Sequence, residues 1–314
     1  MSSFSIGVIF LALLSFVPSL CYGQNNPSKM HPEITYHGGP ILNGTLNFAL
    51  IWYGKCSVLK RTTMVNFLTS LNKEGDPDLN PKVTRWWQTI ESYQTAVPGG
   101  GEAKAHHSNM KIIVNVTKQI DDTSYKYGRN LTIAGSIPKI VHEHIHDQPD
   151  LIPIIITAKD VVMEGLCSGK CADHGLIDNN KPYIILGNPE IECPGKCEWP
   201  FNDVDNGPKS IIFLRPPNQN KAADAMVIAL ATTLADMVTN PLNTGFYGGS
   251  EKAPLGAGSV CKAIFGSGAF PGNPGKVRID PGTSGSFNAH GYQGDRFLLP
   301  AVWNPTTSSC WTLM

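Results

Sequence analysis

The sequence has no excess of either charge: 25 Lys and Arg balance 25 Asp and Glu, and charged residues make up only 16% of the chain. It contains no basic stripe, which argues against a nucleic-acid partner or an anionic membrane surface. After the N-terminus no apolar run approaches the roughly 20 residues that span a bilayer, so no integral membrane segment is predicted in the mature chain. The sequence also lacks a Walker loop and a nucleophile elbow, which leaves two common enzyme classes without their motifs.

The N-terminal segment is the one long apolar run that stands apart from the rest. Residues Met1–Gly23 contain the apolar stretch Ile6–Val17, followed by small residues at which cleavage could occur. This pattern is typical of a secretory signal peptide. The sequence therefore predicts a signal peptide over 1–23, one domain over 24–314, and secretion to the extracellular space.

Seven cysteines remain after signal cleavage, and secretion predicts that most form disulfides. Cys56 stands alone in the sequence and is the candidate for an unpaired thiol. The predicted disulfide cysteines are Cys167, Cys171, Cys193, Cys197, Cys261 and Cys310. Six cysteines allow 15 connectivities, of which two local bridges (167–171 and 193–197) and a 261–310 bridge form one simple scheme. A four-cysteine zinc site near His174 is the alternative interpretation of the two C-x₃-C pairs.

Three Asn-x-Ser/Thr sequons lie in the mature chain, at Asn43, Asn115 and Asn130. In a secreted chain such sequons predict N-glycosylation at exposed positions.

The residue pattern predicts a single mixed α/β domain with a central sheet flanked by helices. Apolar runs bounded by turn residues predict strands, and apolar residues at helical spacing predict helices. The predicted strands are Leu46–Tyr53, Met110–Val116, Leu151–Thr157, Tyr183–Leu186 and Ser210–Leu214. The predicted helices are Lys60–Leu71, Pro81–Tyr93, Ile137–His146 and Ala222–Val238. Glycines are dense over Gly245–Gly294, which predicts irregular loops in a disulfide-braced C-terminal region.

The segment His142-Glu143-His144-Ile145-His146 matches H-E-x-x-H, the zinc-protease signature. On a helix, His142 and His146 share a face and could bind Zn²⁺ while Glu143 acts as general base. The predicted helix ends at once, however, and no third ligand follows at a suitable place. A zinc-dependent hydrolase using these three residues is therefore kept as the alternative function, and a polar helix end is the simpler interpretation.

Other combinations of catalytic or binding residue types are weaker. A Ser-His-Asp arrangement could be drawn from Ser259, His174 and Asp160, as in any chain of this length. Trp86 and Trp87 could stack on sugar rings, but their helical spacing with Tyr93 favours a place in the core.

Long motifs in a fixed order identify the chain as similar to a known family. They include Tyr36-His-Gly-Gly-Pro40, Thr157-Ala-Lys-Asp-Val161, Cys193-Pro-Gly-Lys-Cys-Glu-Trp-Pro-Phe201, Thr239-Asn-Pro241 and Asn288-Ala-His-Gly291. Together they cover nearly the whole mature chain and resemble the plant EXORDIUM family, also called the phosphate-induced protein 1 family.

The resemblance implies a plant protein secreted to the apoplast or cell wall and linked to brassinosteroid- or carbon-status-responsive growth and cell expansion. It implies no established catalytic activity and no cofactor. We therefore expect a non-catalytic protein that binds an unidentified cell-wall polymer or cell-surface protein. The chain departs from the family at Gly256, where Glu is usual, and at Glu198, where Ala is usual, so it resembles a diverged member.

A second resemblance concerns the long predicted helix and the residues that follow it. Thr232-Thr-Leu-Ala-Asp236-Met-Val-Thr-Asn-Pro241 is similar to a microbial segment of the form H-E-L-A-E-x-x-T-D-P, which looks like a metal-site helix. Thr232 and Thr233 stand where that segment has His and Glu, and neither can replace them as zinc ligand or base. This resemblance implies a degenerate zincin-like scaffold that has lost its site.

Overall fold

A five-stranded mixed sheet lies at the centre of the computed structural model, which describes residues 32–98, 111–178, 180–191, 197–202 and 212–314. The strands are β1 (Thr35–Tyr36), β2 (Thr45–Tyr53), β3 (Ile113–Asp122), β4 (Asn130–Leu131), β5 (Leu151–Thr157), β6 (Val162–Met163), β7 (Ala172–Ile177), β8 (Lys181–Leu186), β9 (Phe246–Ser250), β10 (Ala253–Leu255), β11 (Arg278–Ile279), β12 (Ser286–Phe287), β13 (Ala289–His290), β14 (Arg296–Phe297), β15 (Val302–Asn304) and β16 (Ser309–Trp311). The helices are α1 (Val58–Ser70), α2 (Val83–Glu91), α3 (Tyr93–Ala96), α4 (Ile137–Ile145) and α5 (Lys221–Thr239), and a 3₁₀ turn spans Ser259–Cys261.

The central sheet has the strand order β3-β2-β5-β8-β7. Strands β3, β2, β5 and β8 run parallel, and β7 pairs antiparallel with β8 at one edge. The apolar runs that predict β2, β5 and β8 are nearly fully buried, because strands of a parallel sheet are covered on both faces. The mixed α/β class and the central sheet are therefore confirmed.

The two faces of the sheet carry separate hydrophobic cores. Successive side chains of β2 alternate between them: Phe48, Leu50 and Trp52 face one core, while the residues between them face the other. Helices α1, α2 and α5 cover the first face, and α4 covers the second. This division separates the two helices that bear metal-site-like sequences, since α4 and α5 lie on opposite sides of the sheet.

Helix α5 is the longest described helix, and its predicted extent is confirmed to within a residue at each end. Asn220 caps its start by accepting a hydrogen bond from the Ala223 N–H at 2.9 Å. The helix ends at Asn240-Pro241, where proline cannot continue it. It is long and apolar enough to cross a membrane, but 78% of its most apolar window is buried within the protein, as in a core helix.

The structure corrects the sequence-based prediction in several places, and strand β7 is not among the predicted strands. Residues 212–214 of the predicted strand Ser210–Leu214 have no regular structure. The stretch Gly245–Gly294 is not only loops, because short antiparallel pairs, β9–β10 and β11–β12, lie within it. Short pairs give weak periodicity, which explains why the sequence does not reveal them. The predicted signal peptide, residues 99–110 and Cys193 lie outside the described residues.

Candidate functional site

Helix α4 places His142 and His146 one turn apart on an exposed face, with ring centroids 5.0 Å apart. His146 Nε2 lies 2.8 Å from the Asp147 carboxylate rather than facing a shared site. A zinc site with an open position needs a third protein ligand. No group of three His, Cys, Asp or Glu side chains able to hold a metal occurs among the described residues. The geometry therefore does not favour the zinc-hydrolase alternative.

Glu143, the candidate general base on α4, is held by neighbours from the segment after β3. Its carboxylate accepts hydrogen bonds from the Tyr127 hydroxyl at 2.6 Å and from Lys126 Nζ at 3.0 Å. These bonds, the Tyr127 bond first, lower the pKa of Glu143. A catalytic carboxylate base usually has a raised pKa, close to the working pH. The lowered pKa of Glu143 therefore makes it a weaker base and does not suit that role.

Helix α5 carries the second metal-site-like sequence, with Thr232 and Thr233 in place of the His and Glu of the microbial segment. Thr233 is buried, and the Thr232 hydroxyl donates back to the Ile228 carbonyl at 2.9 Å within the helix. A threonine hydroxyl that bonds its own helix cannot replace an imidazole ligand. The loop at Gly258 packs directly against the Thr232 backbone and covers this turn of the helix.

Asp236 is the buried acidic group of α5, only 9% exposed. Its Oδ1 atom accepts hydrogen bonds from the backbone N–H groups of Gly258 at 2.7 Å and Ser259 at 3.1 Å. Burial raises the pKa of Asp236, while the charge of His174 and the backbone hydrogen bonds oppose that rise. The carboxylate thus anchors the start of the 3₁₀ turn on α5, which is a structural role.

Gly256 is matched to Asp236 by steric fit. A Cβ atom at position 256 would collide with the Asp236 carboxylate. A longer side chain, such as the Glu that the resemblance leads us to expect at this place, would meet the same carboxylate in the present arrangement. Close packing of this loop on α5 therefore favours glycine at position 256.

The described cysteines other than Cys56 are disulfide-bonded, but their pairing differs from the simple scheme. Cys171 bonds Cys197, which excludes the local 167–171 and 193–197 bridges of that scheme. Cys261 bonds Cys310, as that scheme has it. Cys167 is also in a disulfide, which leaves no free thiol at these three positions of the C-x₃-C pairs for the four-cysteine zinc alternative. Cys56 is unpaired, and burial raises the pKa of its thiol, which makes it a poor nucleophile.

The remaining candidate residues do not assemble into a catalytic site. Asp160 binds Arg129 at 2.8 Å and Tyr125 at 3.1 Å, whereas the His174 ring contacts the Asn240 carbonyl. The Ser259 hydroxyl accepts from the Gly256 N–H at 2.9 Å. The Ser-His-Asp arrangement is therefore not formed.

The tryptophan pair lies in the core, as its helical spacing favours. Trp86 and Trp87 are at most 1% exposed, and their indole N–H groups donate to the carbonyls of Pro300 and Ile112. Neither ring is available to stack on a sugar.

The three sequons all place their asparagines at exposed positions. Asn43 precedes β2, Asn115 lies on β3 at the sheet edge, and Asn130 begins β4. Glycosylation at these sites stays a prediction.

The fold and these side chains define a class of protein: a disulfide-bonded α/β protein with two metal-site-like helices, neither of which has a complete site. The conserved region of the Phosphate-induced protein 1 family matches residues 34–313. The chain belongs to this family.

Its relatives match it over nearly their whole length. Protein PHOSPHATE-INDUCED 1 of Nicotiana tabacum is 37% identical over 322 residues, covering 98% of each chain. Protein EXORDIUM-like 6 of Arabidopsis thaliana is 36% identical, covering 94% of this chain and 93% of the relative. Protein EXORDIUM of Arabidopsis thaliana is 35% identical, covering 98% and 97%. No solved structure matches.

Proposed function

We propose that this protein is secreted to the plant apoplast and cell wall, where it acts in growth and cell expansion by binding a wall polymer or cell-surface protein. Its membership of the EXORDIUM and phosphate-induced protein 1 family carries the proposal. The predicted signal peptide, the disulfides and the exposed sequons are each consistent with an extracellular protein.

The proposed mode of action is binding rather than catalysis. It is supported by the two metal-site-like helices, because Glu143 on α4 has a lowered pKa and Asp236 on α5 is engaged by backbone N–H groups. The proposed scaffold is a degenerate zincin-like one. Thr232, Thr233 and Asp236 stand on a long buried helix at the spacing of a metal-binding sequence but with other chemistry.

Secretion and growth can be tested together by expressing two forms of the full chain in seedlings. One is the native chain, and the other ends in Lys-Asp-Glu-Leu so that the endoplasmic reticulum retains it. We expect the native chain in apoplastic wash fluid, with increased organ elongation, and the retained chain inside the cell without that effect. Equal elongation from both forms would contradict extracellular action, and absence of the native chain from wash fluid would contradict secretion.

A further inference from the structure

Two buried nitrogen atoms without a hydrogen-bond partner lie on one cross-strand pair. His290 on β13 pairs with Arg296 on β14. His290 is 9% exposed, and neither its Nδ1 atom nor the buried Nε atom of Arg296 has a hydrogen-bond partner among the described residues. Buried polar atoms are nearly always satisfied in native proteins, by protein, water or ligand. Two such atoms on cross-strand neighbours indicate a binding site for a further hydrogen-bonding group.

The chemistry of the two atoms defines what that group must offer. Burial and the positive charges of Arg296 and Arg278 lower the pKa of His290, so its ring is uncharged at neutral pH and carries one N–H. The Nε of arginine is always a donor, and Nδ1 of a neutral histidine is a donor in one tautomer. A partner that satisfies both atoms at once is therefore an acceptor with several lone pairs.

Phe287 joins these residues to a third basic group. Its ring lies 4.9 Å from the His290 ring and 5.4 Å from the Arg296 guanidinium carbon. In the β11–β12 ladder Phe287 lies opposite Arg278. The Phe287 ring thus contacts His290 and Arg296, and Arg278 is its cross-strand neighbour, close enough for its charge to act on His290.

The charge of this cluster is not balanced. Arg296 Nη1 lies 2.8 Å from Asp280, whose carboxylate also accepts from the Gly282 N–H and the Thr283 hydroxyl. Arg278 is exposed and makes no ion pair with any described residue. Lys82, which forms an isolated backbone bridge with His290, is paired with Glu74 at 3.6 Å. One guanidinium charge therefore remains uncompensated, which favours an anion over a neutral acceptor.

We propose that His290, Arg296 and Arg278 form a binding site for an oxyanion, a carboxylate or phosphate group, against the ring of Phe287. Guanidinium groups suit both because their N–H groups match the spacing of two oxygens. A uronate residue of an acidic wall polysaccharide and free inorganic phosphate carry this same chemistry, so the experiment has an arm for each.

The test is calorimetric titration of the purified, disulfide-bonded protein at fixed ionic strength. The probes are sodium phosphate, a galacturonate trimer and, as the uncharged control, a galactose trimer. We expect binding of at least one oxyanion and none of the neutral sugar. Binding of galacturonate but not phosphate identifies the polymer source, and the reverse identifies free phosphate.

Variants assign the binding to these residues. Arg296→Lys should weaken it about tenfold by removing the Nε–H while keeping the charge. The exposed Arg278→Gln should weaken it about two- to fivefold without affecting folding. Arg85→Gln, an exposed arginine on α2, should change nothing. His290→Asn keeps a donor near the place of Nδ1 and should retain part of the affinity, unlike His290→Leu.

Two outcomes would overturn the proposal. The first is no oxyanion binding by the wild-type protein, in which case the two nitrogens hold only water. The second is binding that Arg278→Gln and Arg296→Lys leave unchanged, which places the anion elsewhere. Neither outcome bears on secretion or growth, because the assay uses purified protein and defined anions.

Discussion

Helices α4 and α5 differ from a metal-binding helix in opposite ways. Helix α4 has the right side chains, but His142 and His146 lie on an exposed surface and Glu143 is bound by Lys126 and Tyr127. Helix α5 is long, buried and covered by a loop, but it has Thr232 and Thr233 where the chemistry needs His and Glu. The comparison teaches that ligand-type residues at helical spacing do not make a metal site unless further ligands converge on them, and that a buried helix without such residues offers none.

The largest expected difference between the helices concerns their carboxylates. Asp224, in the first turn of α5, is 2% exposed, and burial raises its pKa to about 7 despite hydrogen bonds from Asn218. The folded protein therefore binds this proton more tightly than the unfolded chain. The free energy of unfolding should fall as pH rises from about 4 to about 7, by up to about 4 kcal/mol from this group.

Urea unfolding of Asp224→Asn across this pH range tests that slope. The variant should show a flatter profile than the wild-type protein, because its amide does not titrate. Asp236 has a raised pKa as well and acts in the same direction, so part of the slope should persist in the variant. An unchanged slope in Asp224→Asn would show that Asp224 is not the titrating group.

The next largest effect on stability should come from the disulfide that holds the loop around Gly258 and the 3₁₀ turn against α5. Cys261 ends the 3₁₀ turn anchored by Asp236, and its bond to Cys310 closes a loop of 49 residues. Replacing both cysteines with serine should lower the free energy of unfolding by about 3 kcal/mol, which lies within the typical range for a disulfide. The matched control is Cys56→Ser, which breaks no bridge. A loss no larger than that of the control would contradict the bracing role.

Close packing between the loop and α5 predicts a smaller effect at Gly256. Gly256→Ala should cost about 2 kcal/mol of stability, because its Cβ would collide with the Asp236 carboxylate. In an Asp236→Ala background the same substitution should cost much less, so the double-mutant cycle should show coupling. Gly282→Ala is the control, since a Cβ there would meet only an ordinary contact at 3.6 Å. Additive costs at positions 256 and 236 would refute the proposed steric match.

The smallest expected effect belongs to α4, and its sign is opposite to that of Asp224. Hydrogen bonds from Tyr127 and Lys126 lower the pKa of Glu143, so its contribution is present above the unfolded pKa and is lost as pH falls through the folded value. Thermal unfolding of Glu143→Gln should match the wild-type protein at acid pH and be slightly less stable at neutral pH. Tyr127→Phe should reproduce the difference. A variant that is more stable at neutral pH would show that Glu143 is strained rather than satisfied.

The sequence predicts the parts of the fold that depend on uniform burial. Strands β2, β5 and β8 and helix α5 are long apolar segments bounded by turn residues, and their positions follow from the run and its ends. Strand β7 is missed because Asp173, His174 and Gly175 stand at the sheet edge, where a strand need not be apolar. Nothing in the local sequence of an edge strand distinguishes it from a loop.

The site is less predictable because it depends on contacts between distant residues. The sequence contains a zinc-motif pattern on α4. The hydrogen bonds that occupy the Glu143 carboxylate, however, come from residues about 16 positions earlier in the chain. The pairing of Cys171 with Cys197 likewise depends on the path of the chain and not on spacing. The sequence indicates the role of Asp236 in one way only. An acidic residue inside an otherwise apolar helix is expected to be buried and to have a hydrogen-bond partner.

The zinc content of the protein, purified without chelators, tests the comparison of α4 and α5 most directly. Elemental analysis of the wild-type chain should find far less than one zinc per protein, with no change in His142→Ala or in Asp236→Ala. One zinc per chain that is lost in His142→Ala would show that α4 completes a metal site after all. That result would contradict the account of a protein that acts by binding alone.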